Sequence, residues 1–563
     1  MNKECKSPDL FTVMIALWGL CVLYFSPRLF ALLAGPEPNH VKALLLIFIL
    51  IQILFWFYIF FHLVIISFSY ISPFRKTSIP SNSFSQSLVA LLYTTCNDFQ
   101  EDAARSHLEQ DYKKYRLFIL DDSNDIEYRL KVDSFANSYP GKVTVIRREG
   151  RVGFKAGNVN HALLQIPKEY EYFSISDADT TLPVSYISTL IPYVESPNIA
   201  FVQANLSSHQ CQKTVFADHF AINTDIHFKR YTSTKNKYGF VMWYGHGALM
   251  RRDVYDHLGG FPEIATEDLA YSIKVREYGY EGIYCDQISC FEDFPLTYLQ
   301  YRKRNEKWIR GTTECLIKYY LTFLKSTNVL WFEKLDVLVS AGTLFFAFPY
   351  VLFLIIGGIL LPLFYHHFQF AGPMFKMPIA YDHLSMGMVQ HIQSNLFWSW
   401  DLFILFLATI ISPLLPVFID YRREPKKVFN YLNIYIFCFF SVQVISVVHF
   451  IVGLITRTAV FPVTGEKEQS SDTHRSMSKP WYQRAHSNLN IMLWAEFIIG
   501  IIFMTISYQS QNIWFMPIAL ALIFSPVLFH SNLENRLIRQ IVSFPLIMIV
   551  CILYFIVQGL VKI

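Results

Sequence analysis

Two long apolar runs open the chain, at 10–33 and 41–71. Each is long enough to cross a bilayer as a helix, which takes about 20 apolar residues. The first is too long, and too closely followed by the second, for a cleaved signal peptide. From 72 to 335 the pattern changes. Short apolar runs at 87–95, 116–120, 143–146 and 172–175 alternate with polar, helix-like stretches. Strands alternating with helices predict a parallel sheet covered on both faces. Apolar runs then return at 335–365, 395–419, 428–455, 491–506, 513–529 and 541–561. The pattern predicts a soluble α/β domain inserted between two membrane regions, with boundaries at 1–74, 75–330 and 331–563.

Lysine and arginine in short loops report orientation, because they stay on the cytosolic side. With the soluble domain inside the cell, Arg422, Arg423, Lys426 and Lys427 fall inside if two spans precede them. Arg536 and Arg539 also fall inside only if 428–455 lies along the interface instead of crossing. The expected topology is about seven spans plus an interfacial helix, in a multi-pass plasma-membrane protein with its soluble domain in the cytosol. Composition agrees: 16% of residues are charged, against about 25% in soluble proteins. A net charge of +4 gives no reason to expect a nucleic-acid partner. Nine cysteines with no CxxC pair argue against a zinc site or a disulfide framework.

Ligands of such sheets bind beyond the carboxyl ends of the strands, and polar residues gather there. Thr95, Asn97 and Asp98 follow the first predicted strand, Asp121 and Asp122 the second, Asp177 and Asp179 the fourth. Carboxylate pairs suit Mg²⁺ or Mn²⁺, hard cations that take one or two carboxylates plus phosphate oxygens. A lone Asp-x-Asp is more often a turn or helix cap; several acidic sites at one sheet edge are a stronger signal. Thr266-Glu267-Asp268 opens a helical run at 269–278, where a carboxylate can serve as general base while Thr266 caps the helix. Lys155 lies in the segment 155–160, Lys-Ala-Gly-Asn-Val-Asn. Arg302, Lys303, Arg304, Lys307, Trp308 and Arg310 cluster just before the membrane returns. Such a cluster either holds a departing diphosphate or forms a juxtamembrane basic belt.

The order of these motifs resembles that of the processive inverting family-2 glycosyltransferases, the cellulose synthase group, over nearly the whole chain. The resemblance implies a GT-A-like nucleotide-sugar-binding domain with a mixed, mostly parallel sheet. It implies that Asp177 and Asp179 hold nucleotide and a Mg²⁺ or Mn²⁺ ion, and that Asp268, flanked by Thr266 and Glu267, is the base. Thr95, Asn97, Asp98, Asp121, Asp122, Lys155, Asp177, Arg304 and Lys307 are implied to bind a UDP-sugar donor. Tyr244, Gly245, His246, Gly247 and Trp308 are implied to receive the acceptor. Residues 461–467 resemble the FxVTxK gating loop, with Phe461, Val463, Thr464 and Lys467 at its positions and one extra residue before the lysine; the loop is placed at 457–488.

Two departures stand out. Cys96 occupies a position where the family carries an aromatic, so stacking on the base has to come from elsewhere. The QxxRW motif reads Arg304-Asn305-Glu306-Lys307-Trp308, and lysine lacks the bidentate fork of arginine. The implied activity is processive, inverting transfer of glucose from UDP-glucose to the non-reducing end of a growing β-linked polysaccharide, coupled to secretion. Accessory subunits or further copies of the chain are candidate partners. A non-processive lipid glycosyltransferase, or a chitin- or hyaluronan-type synthase using UDP-GlcNAc or UDP-GlcA, are the alternatives. A transporter with a degenerate nucleotide-binding domain is a third, against which the intact acidic motifs argue.

Overall fold

The computed structural model describes residues 6–71, 87–209, 214–364, 400–457, 489–509, 515–530, 533 and 535–561. The gating-loop positions Phe461, Val463, Thr464 and Lys467 lie outside the described residues.

The soluble domain is built on seven strands: β1 (Leu88–Thr95), β2 (Tyr115–Asp121), β3 (Val143–Ile146), β4 (Tyr170–Ser176), β5 (Ile199–Ser208), β6 (Ala248–Arg251) and β7 (Glu281–Glu292). They form one sheet in the order β3-β2-β1-β4-β6-β5-β7. All neighbours are parallel except β6, which runs antiparallel to both β4 and β5. The sheet is thus mixed and mostly parallel. β1 is central, and Val89 through Tyr93 are fully buried, as expected of a strand covered on both faces. The antiparallel register places Ala248 opposite Ile175, so the chain entering β6 meets the end of β4. Segment 244–247 is therefore delivered to the same edge as Asp177 and Asp179.

The first helices of the chain are α1 (Asp9–Ala34) and α2 (Asn39–Ile71). Both are long and apolar enough to cross a membrane. Their ends pack on the soluble domain: Leu10, Phe11 and Met14 share a core with Ile65, Tyr238 and Phe332. Three helices carry site residues: α3 (Phe154–Gln165), α4 (Glu267–Glu277) and α5 (Tyr298–Cys315). Beyond them lie α6 (Pro425–Ser441), α7 (Gln443–Thr456), α8 (Leu489–Gln509) and α9 (Met516–His530).

Among the described residues, four helices are long and apolar enough to span a membrane, or six if two bent pairs each count as one span. The expected seven is not reached there. The run 428–455, expected as one interfacial helix, is instead α6 and α7, bent by 47°. Polar side chains sit at the break. Ser441 Oγ donates to Cys438 O at 3.3 Å and Gln443 Nε2 to Phe439 O at 2.6 Å. Such back-bonding competes with the helical ladder and bends it.

Candidate active site

The ends of β1 and β2 are clasped by side chains. Asn97 adopts φ 62°, a left-handed conformation that asparagine tolerates better than most residues. Its Oδ1 accepts from the amides of Asn124 at 3.1 Å and Asp125 at 3.0 Å. Asp98 Oδ1 accepts from Thr95 Oγ1 at 2.9 Å and from Cys96 N at 2.6 Å. These residues shape the pocket floor. Asp121 departs from expectation. It is 1% exposed, and its oxygens accept from Ser123 N at 2.9 Å and Arg147 Nε at 2.7 Å. No oxygen is left facing a ligand, because an arginine from the end of β3 has claimed it. Asp122 is gripped by both arms of Arg148, at 3.0 and 2.8 Å.

Arg151 lies against Cys96. Its Nε donates to Asp122 O at 2.9 Å and its Nη2 lies 2.7 Å from Cys96 Sγ. A flat guanidinium at this strand end can stack on a base. Arg151→Ala is expected to weaken nucleoside diphosphate binding about tenfold, which is about 1.4 kcal/mol, with kcat little changed. Isothermal titration beside steady-state kinetics measures both.

Asp177 and Asp179 follow β4. Lys155, on the first turn of α3, pairs with Asp177 Oδ1 and donates to Gly245 O at 2.8 Å. Burial raises the Asp177 carboxyl, but the charge and hydrogen bond of Lys155, with the charges of His246 and Lys307, together hold the group well below the usual carboxylate range. Asp179 has no such cation. Burial and then the charge of Asp177 push it up to about 6. A carboxylate pair short of positive charge, with hard oxygen donors, fits Mg²⁺ or Mn²⁺. No group of three or more metal-binding side chains occurs among the described residues; for an ion at this pair, substrate phosphates would have to supply further ligands. Gly157 lets one stretch of backbone approach another closely. A Cβ there would lie 2.1 Å from Val152 O.

The third acidic site opens α4. Thr266 stands at the N-cap position without capping; its hydroxyl donates to Gly311 O of α5 at 2.8 Å. The expected capping box gives way to a tie between two site helices. Asn160 pins the loop leading to α4, accepting from Tyr255 OH at 2.8 Å and Phe261 N at 3.0 Å. Glu267 is buried, and burial plus the charge of Asp268 push it up to about 7. Asp268 is half-buried and is the accessible carboxylate of the two. A Cβ on Gly245 would lie 3.7 Å from Asp268 Oδ2, so Lys155, Asp177, Gly245 and Asp268 converge. Gly245 has φ 88° and Gly247 φ 65°, conformations that favour glycine. Tyr244 OH bonds His227 Nε2 and Thr232 Oγ1, each at 3.0 Å.

Burial raises Asp268, while the charges of Lys307 and Lys155 restrain it. A base must be ionised, so activity falls as pH drops through the Asp268 pKa. Removing the Lys307 charge raises that pKa. Lys307→Ala is therefore expected to move the acid limb of the kcat/KM–pH profile to higher pH, read directly from the profile.

Helix α5 carries the basic cluster, and the side chains divide. The Arg304 guanidinium lies 4.7 Å over the Trp308 ring, which is 38% exposed. The charges of Lys307 and Arg304 act on Asp177, Asp268 and Glu292. Arg302 turns away to Glu496, and Arg310 bonds Glu306 at 3.3 Å. These internal partners replace the membrane-belt reading for Arg302 and Arg310. Two site residues were missed from sequence, Arg151 and Glu292. Glu292 ends β7, with Oε2 at 3.6 Å from His246 Nε2. Burial holds His246 down to about 4 and pushes Glu292 up to about 8, so at neutral pH both are uncharged and the contact is not an ion pair. A carboxyl-bearing strand end was the available signal, hidden because β7 was not foreseen.

Residues 172–558 match the family described as Glycosyl transferase family group 2. The chain belongs to this family. Among its relatives are "Probable glucomannan 4-beta-mannosyltransferase 1" of Arabidopsis thaliana, 24% identical over 229 residues, or 39% of this chain and 41% of the relative. Another is "Probable glucomannan 4-beta-mannosyltransferase 7" of Oryza sativa subsp. japonica, 24% identical over 39% of each chain. The matches thus span about two fifths of the curated relatives' length. Among solved structures, the mannosyltransferase PcManGT from Pyrobaculum calidifontis, in complex with GDP-Man and Mn²⁺, is 15% identical. It covers 68% of this chain and 99% of that one, with a TM-score of 0.42. TarS 1–349 of S. aureus with UDP-GlcNAc is 13% identical over 62% of this chain and 90% of that one, with a TM-score of 0.33. As a glycosyl transferase of this family, the chain has its acidic motifs gathered at one sheet edge, with α5 joining that edge to the membrane helices.

Proposed function

We propose that this glycosyl transferase is a processive, inverting polysaccharide synthase of the membrane, with its catalytic domain in the cytosol. The donor is a nucleoside diphosphate hexose, and the names of the relatives move the first choice of sugar from glucose to mannose. Thr95, Asn97, Asp98, Asp122 and Arg151 form the nucleotide pocket, and Asp177 with Asp179 hold the metal. That ion, when bound, neutralises diphosphate charge. Lys155 and Lys307 add positive charge where the leaving diphosphate develops negative charge, the kind of electrostatic help that usually dominates. Asp268 takes the proton from the acceptor hydroxyl, and attack opposite the leaving group inverts the anomeric centre.

The observation that carries the processive reading is a cavity of about 150 Å³ between α5 and the bent pair α6–α7. Tyr301, Tyr435 and Phe439 line it beside Asn305, Gln443 and Ser446. Gln443 Oε1 in this lining is buried without a partner among the described residues. A polar group left so among apolar helices is costly, and a hydroxyl-rich sugar ring offers a partner for both it and the aromatic faces. The test is release of nucleoside diphosphate by purified protein with Mn²⁺ or Mg²⁺ and a donor panel. Turnover of one hexose donor, GDP-mannose first and UDP-glucose second, supports the reading. Short, lipid-soluble product would replace it with lipid glycosylation, and no turnover of any donor would end it.

A further inference from the structure

Helix α5 has two polar faces with different partners. At about 100° per residue, Arg302, Asn305, Glu306 and Ile309 fall on one side, and Arg304, Lys307 and Trp308 on the other. The second side serves the catalytic edge. The first is fastened to the membrane helices. Arg302 donates through both arms to Glu496 of α8, at 2.7 and 2.6 Å. Ser525 of α9 donates to the same carboxylate at 3.1 Å. Asn305 Nδ2 donates to Ser446 Oγ of α7 at 3.0 Å, and Glu306 lies 3.7 Å from His449 of that helix. The helix is thus tied to α7, which lines the cavity, and to α8 and α9.

The Arg302–Glu496 pair is the unusual tie. Glu496 is 2% exposed and lies in Met492–Gln509, a helix apolar enough to span a membrane. Burying two charges there costs more than burying apolar groups of the same size, so stability does not explain the pair. Its geometry does. A bidentate guanidinium–carboxylate bond fixes both the rotation and the axial position of a helix. A slip of one residue would swing Trp308 by about 100° and shift it by about 1.5 Å. A synthase that adds one sugar after another has to present each new chain end in the same place.

We propose that Arg302 and Glu496 are positioning residues that hold α5 in register with the spans, and so set how long a growing chain is retained. Arg302 turns from the catalytic edge toward Glu496 of α8. The proposal rests on the polymerase reading above. The experiment compares Glu496→Gln and the double variant R302Q/E496Q with the unmodified full-length protein in proteoliposomes. Three readouts are followed: initial nucleoside diphosphate release, mean product length and thermal midpoint. Glu496→Gln leaves Arg302 buried and unpaired, so its midpoint falls. The double variant leaves no unpaired charge, and its midpoint returns toward that of the unmodified protein.

Positioning predicts that the double variant keeps release within about twofold yet makes product about tenfold shorter, the ratio that about 1.4 kcal/mol between retained and released chain corresponds to. Recovery of full product length together with the midpoint would overturn the proposal and leave the pair a structural element. Failure of the unmodified protein to make polymer would overturn the polymerase reading itself, and this proposal with it.

Discussion

Replacing Asp268 with asparagine is expected to lower kcat by about 10²- to 10⁴-fold, the usual contribution of a general base. Asparagine keeps the size of the side chain, and its Oδ1 can still accept from Leu269 N, a bond of 2.8 Å in the native protein. What it loses is the capacity to take a proton. Nucleoside diphosphate binding, made by groups at β1, β2 and β4, is expected to stay within about twofold. Single-turnover kinetics with saturating donor, beside calorimetric binding, separates the two. Equal loss of binding and turnover would instead assign Asp268 to donor binding. Glu267→Gln is the internal control. Glu267 is buried beside Asp268, and its loss is expected to cost less.

Lys155→Met is the second large effect, expected to lower kcat by about 10²- to 10³-fold. Among the described residues, Lys155 is the one side chain that contacts both the Asp177 carboxylate and the backbone at Gly245. Its charge pairs with Asp177 in the resting protein, and in the proposed reaction it would also neutralise the diphosphate as the bond breaks. Methionine fills similar volume without the charge, leaving the Asp177 and Asp179 carboxylates side by side with that charge removed. Thermal stability is therefore expected to fall as well. Lys155→Arg keeps the charge and restores part of both. A rise in KM with kcat unchanged would show that Lys155 acts on ground-state binding alone.

Much of this site was legible because the strands that carry it are buried on both faces. β1, β2 and β4 each carry a short, mainly apolar run, and the acidic residues stand where each run stops. β3 was found at its full extent. β6 was not, since four residues after two glycines give no periodicity to detect. β7 mixes acidic and apolar positions over its length, so Glu292 could not be placed at a strand end. Tertiary partners are invisible to local pattern, which is why Asp121 read as a ligand-binding carboxylate although Arg147 occupies it. Thr266 read as a cap for the same reason, its true partner being a carbonyl on another helix. In α5 the basic residues looked like one cluster, and only the fold shows that Arg302 and Lys307 face opposite ways.

The central claim is that one chain both transfers sugar and keeps hold of the product. Product size during the first few per cent of donor consumption tests it most directly, with the protein in proteoliposomes and radiolabelled hexose donor. The account predicts long chains from the earliest time points, rising in number and not in length as more donor is consumed. Products that start short and lengthen together, or that extract into organic solvent, would contradict it.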